Sequence, residues 1–412
     1  MTNSQDSNVF IVGLDIGTAQ TTAVIGEVLP DGEISIVGMG TQPSRGMDKG
    51  GVNDLDSVTR SVSLALNQAS SIAECEVASV YLSISGHHIS GQNEKGMVPI
   101  GGVEVSQDEV DEVIHTAQSV KIPTERQILH VLPQEYTIDE LEGIRSPVGM
   151  SGMRMEANVH LVTGSSDWAR NITKCVERCD VTVDELVFSG IASAQAVLTE
   201  DEKDLGVCVV DIGAGTTDIA IYSGGALRFC AVLPVAGNQV TSDIAKIFRT
   251  PLNHAEQIKV EFACARSALV SQEENIEVPS VGGRPARSMS RHTLAEVVEP
   301  RYQELFELVA DTLRSSGLED QIAAGIVLTG GTAQIEGAET VAEEMFGMPV
   351  RMAQPLPLKG LNEYIREPSY ATAVGLLHYG AERLRKKAQY QAPKNGFGQL
   401  LGRMQSWFKG EF

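Results

Sequence analysis

One strand-turn-strand pattern occurs twice in this chain, and that repetition restricts the fold more than any other feature. The stretches FIVGLDIGTAQTTAVIGEV and VCVVDIGAGTTDIAIY set Asp15, Gly17 and Thr21 against Asp211, Gly213 and Thr217 at a constant offset. Apolar residues alternate on both sides of each turn, the period-two signature of strands, and no helix fits between the two runs. The short turns LPDGE and SGGAL then lead into a third strand in each copy. Each copy predicts a strand meander, and two like meanders predict two like halves. At 412 residues the chain exceeds the usual single core and is long enough for a cleft between them.

A turn that carries Gly213 and Gly215, or Gly17, can bring bare backbone N–H groups up to an anion, because glycine has no Cβ and reaches positive φ freely. Phosphate is the natural guest, and Thr18, Thr216 and Thr217 share these turns as further candidate contacts. Asp15 and Asp211 fall at strand ends facing one cleft, where carboxylates repel phosphate unless Mg²⁺ lies between, held through water. A single Asp-x-Gly turn would signify only an ordinary hairpin; the aligned pair predicts a nucleotide with its metal. A third cluster, GIVLTGGTAQIEG, runs a strand into Gly330 and Gly331 and then a helix-like segment, an arrangement suited to ribose or phosphate. In HAEQIKVEFA, Glu256 and Lys259 project from one helix face, and by spacing alone they read as a solvated i,i+3 pair.

Charge and composition exclude other classes. With 32 Lys and Arg against 54 Asp and Glu, the formal net charge of −22 repels nucleic-acid backbones, so DNA and RNA are not expected partners. Six scattered cysteines make neither a disulfide framework nor a zinc site. Cys175 and Cys179, at i,i+4, read as small core residues. The start MTNSQDSN lacks a basic region, and no uncharged apolar run approaches the ~18 residues of a membrane span, so the body is expected to be soluble and cytoplasmic.

The end of the chain has a different character. AQYQAPKNG reads as a flexible linker. In GFGQLLGRMQSWFKGEF, the residues Phe397, Leu400, Leu401, Met404, Trp407 and Phe408 form one apolar helical stripe flanked by Arg403 and Lys409. The basic residues Arg383, Arg385, Lys386 and Lys387 precede the linker. Such a stripe can dock on its own core, but aromatic residues beside cations after a linker favour a helix lying in an interface of anionic membrane lipids.

The loops LDIGTAQTT, VDIGAGTTD and LTGGTAQIEG resemble the phosphate and adenosine loops of the actin, Hsp70 and sugar kinase ATPase superfamily. Within it, PSRGMDKGGVNDL, VASVYLSISGHHIS, VPSVGGRPARS, LAEVVEPRY and ATAVGLLHYG resemble the bacterial FtsA family, over roughly residues 8 to 380 plus the tail. The resemblance implies an α/β, actin-like fold of two related halves around a nucleotide cleft, with a small α+β subdomain in the first half. The expected first-half core is 1–84, 163–205 and 361–386, interrupted by the small subdomain at 85–162. The expected second-half core is 206–237 and 304–360, with its own small subdomain at 238–303. A linker at 387–396 and a membrane-targeting helix at 397–412 complete the order. In the 85–162 segment, EVSQDEVDEVIHTAQSV followed by QILHVLPQEYTID reads unaided as a helix beside strands.

The same resemblance implies ATP as the cofactor, with Gly237, Glu256, Lys259, Gly330 and Gly331 around its adenosine. Relatives that hydrolyse ATP briskly have Glu-Pro where this chain has Ser189-Gly190; Gln195 is a candidate substitute but lies a helix turn or more away, and Gln20 stands where FtsA relatives often have Lys. Slow turnover is therefore expected, with ATP acting as a conformational and assembly ligand. Further implied are docking of the C-terminal peptide of the tubulin-like protein FtsZ near Arg301 and Glu304, and head-to-tail self-assembly with Arg287 as a candidate contact. Other division proteins are expected on 85–162, and the location is the cytoplasmic face of the inner membrane at the division site. A sugar-kinase-like phosphotransferase is the competing class, but residues 40–160 offer no substrate-side catalytic Asp. A chaperone would need a peptide-binding domain after GLLHYG, where only about thirty residues remain.

Overall fold

The computed structural model describes residues 9–391. The first meander is β1 (Val9–Ile16), β2 (Gln20–Val28) and β3 (Ile34–Pro43), followed by a short hairpin of β4 (Met47–Asp48) and β5 (Gly51–Val52). Helix α1 (Leu55–Ala73) begins at Asp54, whose side chain accepts from the Asp56 and Ser57 N–H groups, a standard N-cap. It leads to β6 (Ser79–Ile84). The small subdomain comprises β7 (Ser90–Pro99), α2 (Gln107–Gln118), β8 (Arg126–Ile138), β9 (Leu141–Ile144) and β10 (Arg154–Ser165). Ser106 and Glu109 start α2 as a capping box. The chain then returns through α3 (Ser166–Glu177), β11 (Thr182–Phe188), α4 (Ser189–Val197) and α5 (Glu200–Leu205).

The second meander is β12 (Val207–Ile212), β13 (Thr217–Ser223) and β14 (Ala226–Leu233). After it come α6 (Gly237–Phe248), α7 (Leu252–Phe262), the two-stranded ribbon β15 (Asn275–Val278) and β16 (Arg287–Ser290), and the long α8 (Arg291–Ser316). The chain closes with β17 (Ile326–Thr329), α9 (Ala338–Phe346), β18 (Val350–Met352), β19 (Lys359–Gly360) and α10 (Ala371–Gln391).

The repeat extends beyond the meanders. One sheet runs β11-β6-β1-β2-β3-β19 and the other β14-β13-β12-β17-β18. In each, the first strand of the meander pairs antiparallel with the second and parallel with a later strand, β6 or β17. Registers also match: Asp15 lies opposite Thr22, and Asp211 opposite Asp218. All six residues of β12 are buried, as expected of a strand covered on both faces.

Helices α4 and α10 lie against each other between the sheets, and Gly375 permits their approach: a Cβ there would overlap the Ala192 carbonyl. The small subdomain has its own core of Val98, Val113, Met155 and Leu161 beneath the sheet β7-β10-β8-β9. It also reaches the second half, since Gln134 Nε2 donates to the Leu227 carbonyl at 2.8 Å and Arg228 pairs with Glu135 at 3.3 Å.

Two local expectations are corrected. After Gly330 and Gly331 the chain makes turns, and the helix begins only at Ala338, because Gly337 holds a left-handed conformation just before it. Helix α10 continues to Gln391, so residues 387–391 of the expected linker are helical. The stripe Phe397, Leu400, Leu401, Met404, Trp407 and Phe408 lies outside the described residues. Among the described residues no helix is long and apolar enough to cross a membrane.

Candidate functional site

The two repeated turns meet in a cleft of about 680 Å³. Each is closed by the same bond: Gly17 N–H donates to the Gln20 carbonyl at 2.9 Å, and Gly213 N–H to the Thr216 carbonyl at 2.9 Å. Gly17, Thr18, Gly213, Gly215 and Thr216 all line the cleft. Gly215 must be small, since a Cβ would collide with Thr18 Oγ1 from the opposite turn and lie 3.0 Å from the Lys49 Cα.

Three aspartates face this space. Asp15 accepts from Ser83 Oγ at 2.6 Å, Asp211 from Ser193 Oγ and from Thr372 Oγ1 at 3.1 Å, and Asp218 from Ser85 Oγ. Burial pushes the Asp15 carboxyl up to about 6, against the Ser83 hydrogen bond and with help from the Asp211 charge. Burial also raises Asp211, opposed by Ser193 and Thr372. Asp218 is raised well above its ordinary value, through burial and then the charge of Asp211. A divalent cation fits this donor set, because three desolvated like charges are relieved by one. Among the described residues no three His, Cys, Asp or Glu side chains are grouped closely enough to ligate a metal directly.

At the other end, Glu256 and Lys259 line the cleft from α7. They are not the solvated pair that spacing favoured: Lys259 is 4% exposed. Its Nζ pairs with Glu256 Oε2 at 2.8 Å and donates to Thr241 Oγ1 at 3.0 Å and the Gly237 carbonyl at 3.3 Å. Gly330, Gly331 and Thr332 form the facing wall, with Arg291 beside them, donating to the Phe262 carbonyl at 2.8 Å and pairing with Glu336 at 2.5 Å.

Two expected residues, Thr217 and Gly237, are not among those lining the cleft. Thr217 is turned away, its Oγ1 donating to the Val235 carbonyl at 2.8 Å, because the ladder pairs it with Ile212. Gly237 stands behind the wall, its N–H donating to the Gly213 carbonyl at 3.1 Å. Gln195 cannot replace a general base at the cleft, since its Nε2 donates to Glu382 on α10 at 3.2 Å. Helix α4 instead presents Ser189 to the cleft and uses Ser193 to hold Asp211. Gln20 does line the cleft, its Nε2 donating to Thr22 Oγ1 at 2.9 Å.

Sequence reasoning missed Ser83, Ser85, Ser193, Asp218 and Thr372. For Asp218 a signal existed, because residues flanking a tight turn pair across the hairpin and Asp218 therefore opposes Asp211. The serines and Thr372 arrive from strands and helices far along the chain.

Away from the cleft, Arg301 is held by Asp243 at 2.7 Å and by Glu304 at 2.5 Å, so its guanidinium is already engaged. Arg287 sits on β16 and donates to the Phe248 carbonyl. Of the basic residues before the tail, Arg383 pairs with Glu185 at 2.5 Å and Lys386 with Glu382 at 2.5 Å. Cys175 is buried in the core, and burial pushes its thiol up to about 11.

Comparison with known proteins agrees with this architecture. The profile described as "Cell division protein FtsA" matches residues 208–375, and that described as "SHS2 domain inserted in FTSA" matches residues 86–163. The cell division protein FtsA of Escherichia coli (strain K12) is 56% identical over 411 residues, 98% of each chain. That of Pseudomonas aeruginosa PAO1 is 49% identical over 415 residues, 99% of this chain and 100% of the relative. Among solved structures, a type IV pilus PilM-PilN complex chain superposes with a TM-score of 0.64 at 16% identity, covering 91% of this chain and 99% of its own. MreB5 of Spiroplasma citri bound to ADP gives 0.56 at 16% identity, covering 93% and 99%. The two matching meanders, the inserted small subdomain and identity above half over nearly the whole length lead to one conclusion: the chain has an actin-like fold and belongs to the FtsA family of cell-division proteins.

Proposed function

We propose that this protein binds ATP with Mg²⁺ between its halves and acts as an ATP-gated tether, linking FtsZ polymers to the cytoplasmic face of the inner membrane at the division site. The observation that carries the nucleotide reading is the pair of identically closed turns converging on Asp15, Asp211 and Asp218. Backbone N–H groups at Gly213, Gly215 and Gly17, with the Thr18 and Thr216 hydroxyls, suit phosphate oxygens. Glu256 and Lys259 suit the ribose or adenine. Asp15, Asp211 and Asp218 would hold Mg²⁺ through water, and the cation, when bound, would neutralise charge on the phosphates.

Helix α4 contributes hydroxyls and no carboxylate to the cleft, which supports slow hydrolysis and a chiefly conformational role for ATP. The other parts rest on family membership. The stripe Phe397, Leu400, Leu401, Met404, Trp407 and Phe408 inserts among anionic lipids; the FtsZ C-terminal peptide docks on 238–303 near Arg301 and Glu304, exchanging with the carboxylates now on Arg301. Self-assembly gives head-to-tail filaments, and residues 85–162 receive other division proteins.

Proton competition tests the nucleotide reading. Asp15 is held at about 6, above its ordinary 3.8, so the folded protein binds this proton more tightly than the unfolded chain does. Its charge therefore costs stability above about pH 6, and that cost fades as pH falls toward 4. A cation at the carboxylates favours the charged form, so protons and Mg²⁺ compete. Calorimetric titration should find that the Mg²⁺-dependent gain in ATP affinity shrinks between about pH 7.5 and pH 5.5 more steeply in the parent than in an Asp15→Asn variant, where only the terminal phosphate of ATP still titrates. The same pH dependence in both proteins contradicts metal binding at these carboxylates.

A further inference from the structure

We infer that Lys49, at the tip of the β4–β5 hairpin, supplies the cationic side chain for the terminal phosphates; the inference rests on the reading of the cleft as a nucleotide site. Met47 pairs with Val52 and Asp48 with Gly51, leaving Lys49 and Gly50 as a two-residue turn. Both have positive φ, 45° and 80°, the geometry of a type I′ hairpin. Glycine or asparagine adopts that conformation more readily than lysine, yet lysine occupies it.

The hairpin tip touches both phosphate turns. Gly50 N–H donates to Thr18 Oγ1 at 3.4 Å, and Gly50 itself lines the cleft. A Cβ built on Gly215 would lie 3.0 Å from the Lys49 N and Cα, so the lysine backbone rests directly on the second turn. Lys49 itself is not among the cleft-lining residues, but its flexible four-carbon stem starts from a backbone that rests on both turns and can swing the ammonium toward them. The side chain is exposed and has no hydrogen-bond or ion-pair partner among the described residues.

Charge balance at the site calls for such a group. Among the described residues, the cations that line the cleft are Lys259 and Arg291, both at the adenosine end and both already on carboxylates, Glu256 and Glu336. At the phosphate end the cleft presents Asp15, Asp211 and Asp218. A polyphosphate entering there meets three acids and, apart from a metal, no positive charge unless Lys49 turns inward. Hydrogen bonds from an ammonium to phosphate are of the strong, charge-assisted kind.

The test compares binding of ATP, ADP and AMP, each with Mg²⁺, to the full chain and to Lys49→Gly and Lys49→Arg variants. Glycine suits the positive φ, so Lys49→Gly removes the ammonium without straining the turn, and a thermal midpoint at or above the parent's verifies folding. The expected result is ATP binding weakened about tenfold in Lys49→Gly, the scale of one hydrogen bond to a charged group, with AMP binding unchanged and Lys49→Arg close to the parent. Unchanged ATP affinity in Lys49→Gly, or equal losses for ATP and AMP, overturns the role of Lys49. A parent protein that binds none of the three overturns the nucleotide reading itself.

Discussion

Asp211→Asn should make the protein more stable and a poorer ligand for Mg²⁺-ATP at the same time. The substitution keeps the shape of the side chain and an oxygen that can accept from Ser193 and Thr372. It removes a buried charge that raises the carboxyls of both Asp15 and Asp218. With no metal present, the folded state should gain, by about 2 °C in the thermal midpoint. With Mg²⁺ present, affinity for ATP should fall roughly 10- to 100-fold, the usual cost of losing a group that supports a metal. A variant that loses both stability and binding would indicate a purely structural aspartate. One that keeps Mg²⁺-dependent affinity would remove Asp211 from the site.

The second large effect is expected at Gly375. A Cβ there would overlap the Ala192 carbonyl, so Gly375→Ala must push α10 away from α4. Neither helix can yield freely, because α4 is almost wholly buried and α10 also packs on β1, where a Cβ on Gly13 would lie 2.9 Å from the Leu376 Cβ. Overpacking of this kind costs about 3 kcal/mol. The displacement also reaches the cleft, since Thr372, one turn earlier on α10, and Ser193 on α4 both hold Asp211. Denaturant titration should show the loss of stability, and ATP binding should weaken with it. An unchanged midpoint would mean that the helices are not held at the distance described.

How far the site could be read from the sequence depended on how local each part is. The Asp-Ile-Gly turns were legible because strand, turn and strand are contiguous, and the constant offset exposed the second copy. Glu256 and Lys259 were found but misread on spacing, since an i,i+3 interval fixes a shared helix face and says nothing about what covers it; here Thr241 and the Gly237 carbonyl do. Gly330 suggested a helix start, yet its positive φ and its closeness to the Asp211 carboxylate serve a turn. Gln195 was already expected a helix turn or more from the position of a base, and its amide is directed to Glu382. Ser83, Ser85 and Thr372 reach the carboxylates by long-range pairing, which no local pattern encodes. The small subdomain was read as a helix beside strands, but its hydrogen bonds to β14 were not foreseeable without the fold.

The central claim, that ATP in the cleft governs assembly on a membrane, is tested most directly by electron microscopy of the full chain on monolayers containing anionic lipid, with and without Mg²⁺-ATP. Membrane-bound filaments should form with ATP and be absent without it, and a Trp407→Glu variant should leave the monolayer bare. Filaments that form equally well without nucleotide, or a Trp407→Glu variant that covers the lipid as the parent does, would contradict the account.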